Sequence, residues 1–116
     1  MGNRATSRAQ VGSEGSLARA RQKLSAWPPL LHRRWRPLGR WSRDLRILSF
    51  NLLADCKQNK EQWSATPPDA LNWDLRRWRL LEEIMTADAD VICLQEADHM
   101  PDFFEPELKD AGYSCV

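Results

Sequence analysis

The hydrophobic pattern of residues 44–116 predicts a strand, a helix and a second strand, in that order. In "DLRILSFNLL" (44–53), apolar side chains fall on both alternating faces, as in a strand that is covered on both sides. In "LNWDLRRWRLLEEIMT" (71–86), apolar residues recur at spacings of three and four, which is typical of an amphipathic helix. The second strand is predicted in "DVICLQ" (90–95). The fold class is therefore α/β.

The predicted helix has an apolar stripe and a polar remainder. Asp69 or Asn72 is expected to cap its start. Trp73 and Trp78 are expected to lie in the core rather than to form a cofactor platform. The charged residues fall mostly off the stripe and are expected to be solvated: Arg76, Arg77, Arg79, Glu82 and Glu83.

Other segments complete the predicted organisation. Residues 54–69 form a polar loop, and loops of this length in compact domains usually serve as lids or binding loops. The segment "MPDFFEPELKDAG" predicts a short helix that ends at Gly112 in the left-handed conformation. "YSCV" (113–116) predicts the beginning of a third strand.

Charge divides the chain into a basic arm, residues 1–43, and an acidic folded part, residues 44–116. Ten of the 17 lysine and arginine residues lie in the arm, which contains one acidic residue, Glu14. The arm is expected to be disordered or to carry a targeting signal. Its low acid content resembles a mitochondrial transit peptide, whereas "MGNRAT" fits an N-myristoylation pattern through Gly2 and Thr6. Import machinery and membrane surfaces are therefore the expected partners of the arm, and the expected location is cytoplasmic or mitochondrial.

The end of the arm, residues 25–43, interleaves tryptophan, proline and arginine. Such a segment could stack on nucleic-acid bases, but its prolines favour a linker that lays its tryptophans on the domain surface. The three cysteines show no paired spacing, which favours a reducing compartment. No apolar run approaches the roughly 20 residues of a membrane span. The oligomeric state is left open.

Polar residues follow both predicted strands at the point where each strand ends. Asn51 closes the first strand, and Glu96 follows the second directly. A right-handed crossover makes the two strands parallel, so their carboxyl ends share one edge of the sheet, where ligands tend to bind. An amide and a carboxylate at this edge suit Mg²⁺, which takes few protein ligands and keeps several waters. Asp98 and His99 are each either a supporting partner of this site or simply solvated, and a surface position is the preferred interpretation for His99.

"ILSFNLLAD" (47–55) and "ADVICLQE" (89–96) resemble the first two signature elements of the endonuclease/exonuclease/phosphatase superfamily, which has the DNase I-like fold. The "DH" after "LQE" and the spacing of "F-P-L---GY" most resemble its nocturnin-like, deadenylase-related branch. The resemblance covers residues 45–116. It implies that the βαβ unit is the N-terminal part of a four-layer α/β/β/α sandwich.

The resemblance also implies a chemistry. Glu96 would be the Mg²⁺ ligand, and Asn51 would orient the phosphate or the metal-bound water. The nocturnin-like branch is associated with removal of the 2′-phosphate of NADP(H), and the alternative activity is a 3′-exoribonuclease acting on poly(A) RNA in mRNA decay. The family's catalytic His, Asp-x-Asn and Ser-Asp-His motifs are expected downstream, and the 116 residues do not contain them. A third interpretation is therefore an inactive truncated fragment, or an isoform that only binds a partner.

Overall fold

The structure is a computed structural model, and it describes residues 8–29, 45–58 and 61–116. Side chains are described from residue 14 onwards. The predicted myristoylation site at Gly2 and Thr6 lies outside the described residues, as do residues 30–43 of the predicted linker segment 25–43.

The described residues form helices on one side of a small sheet. A 3₁₀ turn (Asp55–Lys57) follows the first strand, and a π-helical turn (Met100–Phe104) precedes the last helix. The helices and strands are α1 (Arg8–Lys23), β1 (Ile47–Asn51), α2 (Pro68–Leu71), α3 (Trp73–Ala87), β2 (Val91–Gln95) and α4 (Glu105–Asp110). The predicted strand–helix–strand order is confirmed.

Strands β1 and β2 pair in parallel, from Ile47 opposite Val91 to Asn51 opposite Gln95. Helix α3 connects the two strands, as a parallel crossover requires. One face of the sheet packs against the hydrophobic core. Within the described residues the other face is open, with Ile47 64% and Val91 43% exposed. The expectation of a sheet covered on both faces is therefore not met in this part of the chain.

Helix α3 begins and ends at residues suited to those positions. The Asn72 side-chain oxygen accepts a hydrogen bond from the Asp74 backbone N–H at 3.1 Å, so Asn72 is the cap. Asp88 ends the helix in the left-handed conformation, with φ of 48°. The helix contributes Leu81, Ile84 and Met85 to a core that also contains these residues: Ala20, Leu52, Phe103, Phe104, Leu108 and Ala111.

Helix α1 differs from the disordered arm that the sequence predicts. It packs against α3 and α4, and it buries Ser16, Ala20 and, just beyond its end, Leu24. Arg19 Nη2 lies 3.1 Å from Glu107 Oε2. These contacts use small residues that fit close to a neighbouring helix, so the helix forms without a strong apolar period.

Two charged residues of α3 are buried, contrary to the solvated face that the sequence predicts. Arg76 has a side chain only 10% exposed, and Glu82 is 8% exposed as a residue. Each has partners that offset the cost of burial: Glu82 lies 2.9 Å from Arg79 Nη1 and 3.6 Å from Arg21 Nε. The solvated face is narrower than predicted because α1 contacts Glu82 through Arg21, and the loop after β1 surrounds Arg76.

The predicted third strand is also not formed: residues 113–116 lie outside the sheet. The Tyr113 hydroxyl instead donates a hydrogen bond to the Ala89 carbonyl at 2.6 Å, which places the segment beside the end of α3. None of the helices in the described ranges has the length and apolar character needed to cross a membrane.

Candidate active site

Asn51 and Glu96 meet at the carboxyl edge of the sheet, 45 residues apart in sequence, as the parallel crossover predicts. Asn51 Nδ2 donates a hydrogen bond to Glu96 Oε1 at 3.1 Å. Asn51 Oδ1 accepts one from the Leu53 backbone N–H at 2.9 Å. Because the oxygen faces a backbone donor, the amide presents its nitrogen to the carboxylate, so Asn51 orients Glu96.

The Glu96 carboxylate is fixed at both of its oxygens. Oε2 accepts a hydrogen bond from the Ala54 backbone N–H at 3.3 Å, and the Lys57 ammonium lies 3.6 Å from Oε1. The hydrogen bond from Asn51, followed by that from Ala54, lowers the pKa of Glu96 below its ordinary value. Glu96 is therefore a carboxylate at neutral pH. Its backbone is left-handed, with φ of 54°, which is uncommon for a residue other than glycine.

Asp98 ties the turn after β2 to the loop after β1. Its Oδ2 accepts a hydrogen bond from the Cys56 backbone N–H at 3.0 Å. Burial opposes ionisation of Asp98, but backbone hydrogen bonds from Cys56 and Asp55 outweigh it and lower the pKa. Of the two interpretations left open by the sequence, the contact supports a partner of the loop beside Glu96.

His99 is not a solvated surface residue. Its ring stacks on Trp73, with centroids 3.9 Å apart and an interplanar angle of 15°. Nδ1 lies 2.7 Å from Asp102 Oδ2, and Nε2 lies 3.6 Å from Asp55 Oδ2. The hydrogen bond with Asp102 is the main cause that raises the pKa of His99; burial opposes it, and Asp55 adds to the rise. His99, in the turn after β2, thus contacts both helix α3 and the loop after β1.

Sequence reasoning missed Arg76 as a member of the site. Its Nη1 donates hydrogen bonds to the Leu52 carbonyl at 2.7 Å and to the Leu53 carbonyl at 2.8 Å. Burial lowers the pKa of Arg76, and the neighbouring Asp55 carboxylate opposes that change. No local pattern marks this residue, because the two carbonyls that it binds lie 24 and 23 residues earlier in the chain.

The donor set at this edge fits a hard cation that keeps most of its waters. In the described ranges, no group of three or more His, Cys, Asp or Glu side chains could hold a metal ion. Glu96 offers one ionised carboxylate, and a cation, the Lys57 ammonium, already lies beside it. The Lys57 side chain is 62% exposed, so it can move aside. A single carboxylate suits Mg²⁺ better than Zn²⁺, which takes three or four protein ligands.

The sequence profile of the Endonuclease/Exonuclease/phosphatase family matches residues 48–116, which is more than half of the chain. The chain belongs to this family. Both Asn51 and Glu96 lie inside the matched range, whereas α1 lies before it. The incomplete α/β fold of the described residues agrees with part of a domain of this family.

Relatives with curated names include nocturnin and carbon catabolite repressor proteins. The chain is 40% identical to nocturnin of Xenopus laevis over 75 residues, which are 64% of the chain and 19% of that protein. It is 44% identical to carbon catabolite repressor protein 4 homolog 2 of Arabidopsis thaliana over 72 residues, which are 60% of the chain and 12% of that protein. The chain thus spans less than a fifth of these relatives, and no solved structure matches it. The nocturnin-like resemblance is confirmed.

Proposed function

We propose that this chain supplies the first part of the active site of a nocturnin-type, Mg²⁺-dependent phosphohydrolase that removes the 2′-phosphate of NADP(H). The observation that carries the proposal is the 3.1 Å contact between Asn51 Nδ2 and Glu96 Oε1 at the carboxyl edge of the parallel strands. The match to nocturnin supports the branch, and the "DH" of Asp98 and His99 is one of the two features on which that resemblance rests.

Each residue has a role that follows from its contacts. Glu96 would hold the cation, since its lowered pKa keeps it ionised. Asn51 holds the carboxylate with one N–H, and the second N–H of the same Nδ2 can donate to a phosphate oxygen or a water. Mg²⁺ bound there would stabilise the negative charge that develops on the phosphoryl oxygens. The residues that activate water and contact the leaving group would come from the downstream motifs that the resemblance implies.

A second candidate is a 3′-exoribonuclease acting on poly(A). It is favoured by a 38% identity over 74 residues to a protein of Neurospora crassa named as a 3′-5′-exoribonuclease subunit of the CCR4-Not complex. These residues are 62% of the chain and 9% of that protein. Both activities would use the same carboxylate and amide, because both break a phosphoester bond.

The test uses a form of the protein that carries the downstream motifs. Phosphate release from NADP⁺ and shortening of an oligo(A) strand are measured across a range of Mg²⁺ concentrations. Faster turnover of NADP⁺ supports the first candidate, and faster shortening of oligo(A) supports the second.

Two variants test the residue roles in the same assay. Glu96→Gln keeps the size and removes the charge, so activity should fall by orders of magnitude and the Mg²⁺ requirement should rise. Asn51→Ala should lower activity with a smaller effect on the Mg²⁺ requirement. Glu105→Gln is the matched control, because the partner of the Glu105 carboxylate is Lys109 on the same helix. If Glu96→Gln behaves like Glu105→Gln, the metal-ligand assignment is wrong.

A further inference from the structure

Arg76 is a buried cation whose five N–H donors all face the loop that follows β1. Nη1 donates to the carbonyls of Leu52 and Leu53, at 2.7 Å and 2.8 Å. Nη2 lies 3.6 Å from Asp55 Oδ1. With the Gln58 amide oriented to satisfy both of its polar atoms, its oxygen accepts from Arg76 Nε at 2.9 Å and from Nη2 at 2.7 Å. The guanidinium therefore holds this loop at four points.

The loop that Arg76 holds, residues 52–58, is the same segment that supports Glu96. Its Ala54 N–H donates to Glu96 Oε2, and its Lys57 ammonium lies beside Oε1. Within this loop, Leu53 has a left-handed backbone conformation with φ of 56°, which costs a leucine about 1–2 kcal/mol. A loop with such a residue keeps its shape only if other contacts hold it, and the carbonyl of Leu53 is one of the groups bound by Arg76.

We propose that Arg76 is a positioning residue for Glu96, acting through the loop 52–58. In the described contacts its side chain does not touch the carboxylate. It fixes the backbone of the loop whose Ala54 N–H does. The part of the proposal that concerns metal affinity rests on the proposed function, whereas the part that concerns the Ala54 hydrogen bond stands without it.

The geometry requires arginine rather than any cation. The guanidinium is a rigid planar fork with five donors, whereas a lysine ammonium offers three donors from a single atom. Two carbonyls, an amide oxygen and a carboxylate surround the group, and a lysine at this position cannot reach all four. The neighbouring Arg77 provides the contrast, since its Nη2 ion pair, 3.3 Å long, is to Asp74 on the same helix.

The experiment records amide NMR spectra of the 116-residue chain as Arg76→Lys and as the matched control Arg77→Lys, each with and without Glu96→Gln. In the parent chain, Glu96→Gln removes a charged acceptor and moves the Ala54 amide proton resonance. In Arg76→Lys that response should fall by more than half, while in Arg77→Lys it should equal that of the parent. Gln58→Met removes the side-chain amide but keeps the length of the side chain, and it should also reduce the Ala54 response. This variant replaces Arg76→Lys as the test if Arg76→Lys does not fold.

A second arm titrates Mg²⁺ and follows the Asn51 side-chain amide. Arg76→Lys should weaken Mg²⁺ binding roughly tenfold, as loss of a group that orients a metal ligand commonly does. If the parent chain binds no Mg²⁺, the proposed metal site fails, but the Ala54 response still decides the role of Arg76. The positioning role is overturned if Ala54 responds to Glu96→Gln equally in Arg76→Lys and the parent, or if Arg77→Lys reduces the response as much.

Discussion

Substitution of Ala20 by aspartate should release helix α1 from the rest of the protein. Ala20 is fully buried where α1 packs against the other helices. A carboxylate at this position would lose its hydration within the hydrophobic core cluster to which Ala20 belongs. Ala18→Asp is the matched control, because Ala18 lies on the exposed side of the same helix and carries the same loss of helix propensity.

The expected size of the effect follows from what α1 buries. Leu24 is 5% exposed, and burial of a leucine is worth about 1.5–3 kcal/mol, with ~0.8 kcal/mol more for the Ala20 methyl group. The ion pairs of Arg19 at the rim of this contact add at most about 1 kcal/mol each. Burying an unpaired charge costs several kcal/mol, which is more than the docking of α1 contributes. Helix α1 should therefore detach instead of burying the charge, and the loss of stability cannot exceed the docking free energy of α1. We expect the free energy of unfolding to fall by about 2–4 kcal/mol in Ala20→Asp and by less than about 1 kcal/mol in Ala18→Asp.

Urea unfolding measures both variants, and limited proteolysis reports whether residues 14–29 become accessible. Ala20→Asp should be cleaved within this range under conditions in which Ala18→Asp and the parent are not. If the two variants lose equal stability and are cleaved alike, α1 is not docked and the reasoning from its buried residues is wrong.

Three further outcomes are expected. The pKa of His99 is raised on folding, so the stabilisation that its protonated form provides is complete below about pH 6.5 and is lost as the pH rises through the folded pKa. The unfolding free energies measured at pH 6 and at pH 8 should therefore differ less in His99→Gln than in the parent. The 116-residue chain alone should not hydrolyse NADP(H) or poly(A), because Glu96 and Asn51 cannot together position the water and the leaving group; Mg²⁺-dependent turnover that Glu96→Gln abolishes would contradict this. A reporter fused to residues 1–43 should move to mitochondria or membranes because of the ten basic residues. Loss of membrane association in Gly2→Ala would indicate a lipid anchor, and a diffuse reporter would contradict the targeting proposal.

The elements that have a local hydrophobic repeat could be predicted from the sequence. Alternation and the helical apolar period located β1, α3 and β2, and a crossover between parallel strands has one preferred hand. That rule alone brought Asn51 and Glu96 to the same edge, although 45 residues separate them. The meeting of these two side chains was predictable because it depends on strand direction and not on the details of packing.

The remaining features depend on partners far away in sequence. Burial of Arg76 is favourable only because carbonyls and an amide of the loop 52–58 receive its donors. Docking of α1 depends on Ser16, whose hydroxyl donates to the Glu107 carbonyl at 3.3 Å across 91 residues, and on the small size of Ala20. His99, in the turn after β2, stacks on the Trp73 ring of helix α3. Composition and periodicity carry no signal for such pairs.

The backbone at the strand ends suggests why the site needs this long-range support. Leu53 and Glu96 both adopt left-handed conformations, one on the loop after β1 and the other directly after β2. Glycine would relieve the strain at Glu96, but it would also remove the carboxylate on which the proposed chemistry rests. A sequence that keeps a carboxylate in a conformation suited to glycine must hold the surrounding backbone by other contacts. Asn51 provides such a contact to the Glu96 side chain, and Arg76 provides it to the opposing loop, so the strained backbone and its supports are two parts of one arrangement.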